Sequence, residues 1–416
     1  KHQACPYCGF TAPKIKEYVT KEITHSALTT QKCIIKYRAR RYKCPCCGKT
    51  YYEFNPFVFK SQKISILTVH NILKDLKDFN ETFTSVARRY HVSPTSVSTI
   101  FDNHVDIGRN PLPEIINFDE VYAFKSEKSK YVCVLLDFKK QIPVDVLPNR
   151  KKEYLLNYFQ KIPLEERKKV KYACSDMYEV YRDVVHKVFP CSCMLLDYFH
   201  LSQDFHRKMN EVRIKVMKGY KDDKASDEYY LLKKFNWLLF KNPEDEDKYG
   251  RLFDVERERK YNSHFKSYMN YYDLRRKLLE INNDLTICYS LKLELVDFYS
   301  KSTIDNAQVN LEHLIRSCID TNIEEMIAFS NNLINWKQEI INSFTIVGTE
   351  YKVEADKGQV VVCNKKVNNA IIENRNKIIK CIKNNANGYT NWSRFRNRVM
   401  YVLDPNTTFS LEPREK

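Results

Sequence analysis

The spacing of apolar and polar positions changes several times along the chain, and each change predicts a different kind of structure. In residues 1–58 apolar positions tend to recur every second residue, as through Cys33-Ile34-Ile35-Lys36-Tyr37-Arg38, which is the period of a strand with one face turned inward. Residues 62–108 shift to helical spacing. From Glu114 the strand pattern returns at 115–124, 131–137 and 142–146. It then alternates: helix at 153–160, strand at 170–174, helix at 178–187, strand at 193–196. Three successive strands followed by alternating helices and strands predict a mixed α/β sheet. From about 201 to 344 residues such as Leu231, Leu232, Phe235, Leu238 and Leu239 fall at three-to-four spacing among charges, so an almost wholly helical insertion is expected. A strand-like run at 360–363 and a helix over 366–383 close the pattern.

The 416 residues exceed what one ordinary core holds, and the pattern divides them into five stretches: 1–58, 59–110, 111–204, 205–345 and 346–416. The third and fifth are the two parts of one α/β core, interrupted by the all-α fourth. The formal net charge of +17 favours a polyanionic partner, with nucleic acid ahead of an acidic membrane surface. No stretch reaches the roughly 20 apolar residues that span a bilayer, and no membrane association is expected. No signal peptide is legible, although a chain opening on Lys1 leaves a leader open. A cytoplasmic, nucleoid-associated location is the expectation.

Fourteen cysteines sharpen the picture. Several, such as Cys133, Cys174 and Cys288, are scattered among apolar residues, while Cys5-Pro6-Tyr7-Cys8-Gly9 and Cys44-Pro45-Cys46-Cys47-Gly48 form two knuckle-like turns. Paired knuckles fit metal binding in a reducing compartment better than disulfides. Cys5, Cys8, Cys44 and Cys47 are the expected ligands of one structural Zn²⁺, which accepts four thiolates in a tetrahedron and then has no open position for water. Cys46 is the spare. Buried free cysteines are the plainer alternative.

In the second stretch, 83–90 reads as a helix, His91-Val92-Ser93 as a turn, and 94–103 as a second helix with Ser93 as its cap and Pro94 in its first turn, a helix-turn-helix. Thr95, Ser96 and Ser98 are expected to face DNA, with Val92, Val97 and Ile100 packed inward. A plain helical hairpin gives the same pattern.

The remaining chemistry lies in carboxylates. Asp119 interrupts the apolar run around Ile115, Ile116, Phe118 and Val121, where a charge needs a partner or a cation. Adjacent Glu120 is its rival, since neighbouring strand residues face opposite ways. Asp176 follows the strand at 170–174, at the end where α/β sheets bind ligands. Glu373 lies on the late helix, whose buried stripe is expected to be Ala370, Ile371, Ile378 and Ile382. Arg375, Lys377 and Lys380 on that helix are expected to contact phosphates. Taken singly, Asp119 also reads as a strand-end residue, Asp176 as a helix cap and Glu373 as a solvated acid. Together such acids could hold two divalent ions about 4 Å apart, one activating a nucleophile and one stabilising the leaving oxygen.

These residues resemble the bacterial insertion-sequence transposases that carry a zinc ribbon, a helix-turn-helix and a ribonuclease-H-like Asp–Asp–Glu (DDE) core. The resemblance rests on the two cysteine pairs, Asn117-Phe118-Asp119-Glu120, Ser175-Asp176-Met177 with Tyr181, Asp197-Tyr198-Phe199-His200, and Glu373-Asn374 with Asn387-Gly388-Tyr389 and Phe395-Arg396. It implies a triad of Asp119, Asp176 and Glu373 holding two Mg²⁺ or Mn²⁺ ions. It also implies double-stranded DNA as partner, both element ends and target, and a homodimer or higher homo-oligomer on that DNA. Asp197 and His200 resemble a supporting pair of the active site, and read equally as a helix-capping Asp with a packed His. A silent DNA-binding regulator and a structure-selective nuclease are the competing functions. The insertion around Trp237 and Trp336 matches no chemical motif, so packing is its expected role.

Overall fold

The computed structural model describes residues 4–26, 31–59, 62–124, 129–353 and 360–414. Strand β1 (Lys14–Thr24) pairs antiparallel with β2 (Ile34–Lys43), and β3 (Thr50–Tyr52) adds to the other edge of β2. Period-two patterning turns Ala39 inward while Arg38 and Arg40 face solvent, and Tyr42, on the other face from Ala39, is buried with Cys5, Cys44 and Tyr51. Three helices follow, each opened by a hydroxyl cap. Ser65 caps α1 (Ile66–Asp75), Thr82 forms a capping box with Ser85 on α2 (Phe83–Arg89), and Ser93 caps α3 (Pro94–His104).

Strands β4 (Ile115–Val121), β5 (Val132–Asp137) and β6 (Pro143–Leu147) come next, then α4 (Lys152–Gln160) and the one-turn α5 (Leu164–Arg167). Strand β7 (Tyr172–Ser175), α6 (Glu179–Val188) and β8 (Cys193–Leu196) complete a five-stranded sheet of order β6-β5-β4-β7-β8. Strands β5 and β6 are antiparallel, whereas β4 with β7 and β7 with β8 are parallel, so the sheet is mixed.

The stretch after the sheet begins with α7 (Tyr198–Lys218) and α8 (Asp227–Lys234), and is less uniformly helical than its apolar spacing predicts. A 3-10 turn (Asn236–Phe240) leads to two small hairpins, β9 (Glu246–Asp247) with β10 (Gly250–Arg251), and β11 (Lys260–Asn262) with β12 (Ser267–Met269). Between 244 and 262 charges crowd out any apolar stripe, and Gly250 takes a left-handed φ of 96° that a turn can use and a helix cannot. Helices α9 (Tyr271–Glu280), α10 (Asn283–Lys301), α11 (Ala307–Asp320), α12 (Glu324–Asn335) and α13 (Lys337–Asn342) resume the helical pattern. Strand β13 (Ile346–Val353) pairs with β14 (Val360–Lys366) in a two-stranded sheet among the described residues, and α14 (Ala370–Asn385) and α15 (Trp392–Leu403) follow.

The chain divides into two compact units. The first gathers Lys1–Pro113, Asp119–Tyr158 and Ala370–Lys416. Its core joins Val69, Ile72 and Leu73 of α1, Val86 and Phe101 of the following helices, Val134 of β5, Ile372 and Ile379 of α14, and Phe395 and Val399 of α15. Polar ties reinforce this closure: Lys77 Nζ donates to the carbonyls of Asp404 and Thr407 at 2.8 and 2.7 Å, and Arg394 makes an ion pair with Asp102 at 2.6 Å.

The second unit comprises Glu114–Phe118 and Phe159–Asn369. Leu201, Phe205 and Met209 of α7 pack with Leu285, Leu311, Phe329 and Leu333 of the later helices. Each such side chain contributes about 1.5–3 kcal/mol when fully buried. Both tryptophans of this region pack: Trp336 is buried beneath Arg182, and the Trp237 ring meets Tyr271 edge-on at 5.1 Å. Lys292 of α10 is also buried, its Nζ donating to the Lys241 carbonyl, and burial pushes its pKa down to about 8.

Candidate active site

The two knuckles close as mirror-like turns. Gly9 and Gly48 take φ of 74° and 71°, and each donates its amide to the carbonyl of Cys5 or Cys44 at 2.9 Å. These turns bring Cys5 Sγ to 3.7 Å from Cys47 Sγ and Cys8 Sγ to 3.5 Å from Cys44 Sγ. One ligand atom from each of the four lies within 4.8 Å of the others, a grouping that could hold zinc and fits a zinc ribbon. The Cys47 amide points at Cys44 Sγ from 3.5 Å and is the largest influence drawing that thiol down, while the neighbouring Cys8 and Cys47 thiols are pushed up. Cys46 is exposed and outside the group.

On α3, Thr95 is exposed and Ser96 half-buried, but Ser98 is turned inward at 9% exposure, with its hydroxyl donating to the Thr95 carbonyl at 3.0 Å. The expectation that Ser98 faces DNA is therefore corrected. Ser98 stands three residues before buried Phe101, on the packed side of the helix, whereas Thr99 shares the exposed side with Thr95. Val97 and Ile100 are buried and Val92 is half-buried, in line with their expected packing.

Asp119 lies on β4, half-buried. One of its oxygens accepts the amide of Glu120 at 2.7 Å, and the other accepts the Asn376 carboxamide at 2.7 Å. Asn376 is one turn beyond Glu373 on α14, so the structure brings Asp119 against the helix that carries the third acid. The adjacent rival, Glu120, makes an ion pair with Arg150, whose guanidinium lies over the Tyr131 ring. The stripe that α14 buries is Ile372, Asn376, Ile379 and Ile382; Ala370 is exposed and Ile371 and Ile378 are only half-buried. The expected stripe is thus rotated, and the rotation carries Asn376 inward while Glu373 remains half-buried. Lys377 and Lys380 are exposed, and Arg375 Nε donates to the Gln141 carbonyl at 3.2 Å.

In the second unit Asp176 is half-buried and immediately follows β7, two residues before the cap position of α6, which Tyr178 fills. Asp197, at 4% exposure, immediately follows β8, and its amide donates to the Ser175 carbonyl at 3.1 Å. Asp197 occupies the cap position of α7, yet its carboxylate makes no capping bond; His200 Nε2 stands 3.9 Å from it.

Sequence reasoning missed the asparagines. Asn117 is fully buried on β4, donating to the Asn368 carbonyl at 2.8 Å and to Asn369 Oδ1 at 2.6 Å, and Asn369 in turn donates to the Phe118 carbonyl at 3.3 Å. The signal was present: an amide amid Ile115, Ile116 and Phe118 is as anomalous as Asp119, because a buried amide needs partners.

Comparison with known proteins matches this frame. Over nearly its whole length the chain is similar to the transposase for insertion sequence element IS1001 of Bordetella parapertussis, with 20% identity over 409 residues covering 98% of this chain and 90% of that one. The model of the ISL3 family of DDE transposases matches residues 116–355, a span that includes β4, β7, β8 and the helices of the second unit. That span is more than half of the chain, which therefore belongs to the DDE transposases of the ISL3 family, enzymes that cut DNA and transfer the cut strand.

Proposed function

We propose that the protein binds the ends of its mobile element, cleaves the phosphodiester there and joins the freed 3′-hydroxyl to target DNA, with Asp119, Asp176 and Glu373 as the metal-binding triad on a ribonuclease-H-like core. The observation that carries this reading is the 2.7 Å hydrogen bond from Asn376 to Asp119, which ties the first acid to the helix of the third. All three are hard oxygen donors, the kind that Mg²⁺ or Mn²⁺ prefers over nitrogen or sulfur. Two such ions supply activation of water or a 3′-hydroxyl and stabilisation of the leaving oxygen.

The chain's own residues have separable parts in this scheme. Asn376 fixes the direction of the Asp119 carboxylate. Asp197 and His200 support the site from the end of β8. Zinc held by Cys5, Cys8, Cys44 and Cys47 keeps the ribbon folded. Thr95 and Ser96 of the helix-turn-helix, with Arg375, Lys377 and Lys380, contact the DNA, on which at least two copies of the chain act together. A strand-transfer assay with a labelled element end in Mg²⁺ tests the proposal. Joined product is expected; hydrolysis without joining would make the protein a nuclease, and end binding with neither reaction would make it a regulator.

A further inference from the structure

A polar concavity lies wholly within the first unit. A cleft of about 390 Å³ opens between α2 and the turn from α14 to α15. Thr82, Thr84 and Arg88 line one wall, and Tyr389, Asn391 and Arg394 line the other. No carboxylate lines it. The acids close by in sequence are engaged elsewhere: Glu81 holds Arg89 and accepts the Ser85 hydroxyl at 2.6 Å, and Asp102 takes two nitrogens of Arg394.

Arg88 differs from both of those arginines. It is exposed, lines the cleft and makes no ion pair with a described residue. The turn opposite is fixed by consecutive left-handed residues, Asn387 and Gly388 with φ of 54° and 97°, whose amides return to the carbonyls of Asn384 and Lys383 at 3.0 and 2.8 Å. The last carbonyls of α14 are thereby tied down. Beside the cleft, Arg398 is 1% exposed; its Nη2 donates to the carbonyls of Asp78 and Glu81 at 2.8 and 2.7 Å, and its charge faces the hydroxyl of Tyr389 in the cleft wall. A buried cation, a fixed turn and an unengaged guanidinium around hydroxyl and amide groups favour an anion of tetrahedral oxygens.

We infer that this cleft seats one phosphate of a DNA backbone, gripped by Arg88 with Thr84 and Asn391 as hydrogen-bond donors. The inference rests on the DNA-binding reading above and adds a contact outside α3, made by the first helix of the helix-turn-helix and the start of α15. A phosphate contact fixes register on the duplex and carries no base preference of its own.

The test compares the full-length protein with Arg88→Gln, Arg88→Lys and Thr84→Val by fluorescence anisotropy on an element-end duplex and a random duplex, over a series of salt concentrations. Loss of one phosphate contact lowers the log–log salt slope by about 0.9. Arg88→Gln is expected to show that fall, with affinity reduced roughly five- to tenfold on both duplexes. Arg88→Lys should keep most of the slope, and Thr84→Val should weaken binding modestly with the slope unchanged. Circular dichroism confirms that each variant is folded. An unchanged slope in Arg88→Gln overturns the inference, and so does a loss confined to the element end, which places Arg88 in a groove. Inorganic phosphate binding that Arg88→Gln abolishes while leaving the DNA slope intact makes this a free-anion site and overturns it too. If the unaltered protein binds neither duplex, the proposed function falls as well; if it binds both and Arg88→Gln behaves identically, only the cleft assignment falls.

Discussion

The cysteine knuckles and the carboxylates are both sets of potential metal ligands, but the chain delivers them differently. The knuckles are local. Each is a five-residue turn closed by its own glycine, and the β1–β2 hairpin is enough to bring the two together. The acids are dispersed over 119–373, on a strand, just after a strand and on a helix, and Asp119 is held by Asn376, 257 residues away. Four soft thiolates close a coordination sphere, whereas hard carboxylates leave room for water and phosphate. A ligand set for structure can be assembled locally; the acids proposed above for chemistry come from separated stretches of the chain.

The largest expected effect breaks one side of that contrast only. Glu373→Gln keeps the size and helix propensity of the residue and removes its charge, and strand transfer in Mg²⁺ is expected to fall by roughly three orders of magnitude or more, with binding to element ends retained. Adding Asp119→Asn should cost little more, because the acids act as one device. Near-normal transfer by Glu373→Gln would remove that residue from the site.

Breaking the other side should do the reverse. Cys44→Ser, or a strong chelator, is expected to release one zinc per chain, disorder the ribbon and weaken DNA binding by about tenfold or more. Metal analysis and anisotropy read this directly. A folded ribbon with unchanged binding and no zinc would show that the four cysteines are simply packed thiols.

Asn376→Leu sharpens the comparison by leaving every acid in place. It removes the donor to Asp119, and the loss should be about 10- to 100-fold in activity or in Mg²⁺ affinity, as for other residues that orient metal ligands. An unaltered Mg²⁺ dependence with full activity would make that hydrogen bond incidental to the chemistry.

The smallest expected effect lies where neither ligand set reaches. Lys292 has a folded-state pKa near 8, below the ordinary 10.5, so between about pH 8 and 10.5 the unfolded chain holds the proton more tightly. Stability therefore rises as pH increases through that window. Thermal melts should gain a few degrees from pH 8 to 10, and Lys292→Met should remove that contribution; an identical pH profile in the variant would mean other groups set it.

The two regions also differ in how far the sequence discloses them. The knuckles, Ser93 as a cap and the order of strands around Asp119 and Asp176 follow from local signals: turn residues, period-two alternation and a hydroxyl before Pro94. Ser98 and the buried stripe of α14 do not. A rotation of a quarter turn separates Ala370 and Ile371 from Ile372 and Asn376, and apolar spacing alone cannot fix that angle when isoleucines lie on both sides. Asn369 and Asn376 read as polar neighbours of Glu373 and Asn117 as part of a motif, but their burial went unread because an asparagine reads as a turn or surface residue until its partner is known. Asn117 and Asn369 are 252 residues apart. The hairpins at 246–269 hid among charges that give no period at all.

The first unit is assembled from three separated stretches of chain, and that has a consequence for timing. Its core needs Ile372, Ile379, Phe395 and Val399, and Lys77 finds its carbonyl partners only at Asp404 and Thr407. During synthesis, at roughly 5–20 residues per second, the emerging N-terminal modules therefore wait for more than 200 intervening residues before their core can close. The helix α14 is therefore made only after the whole of the second unit.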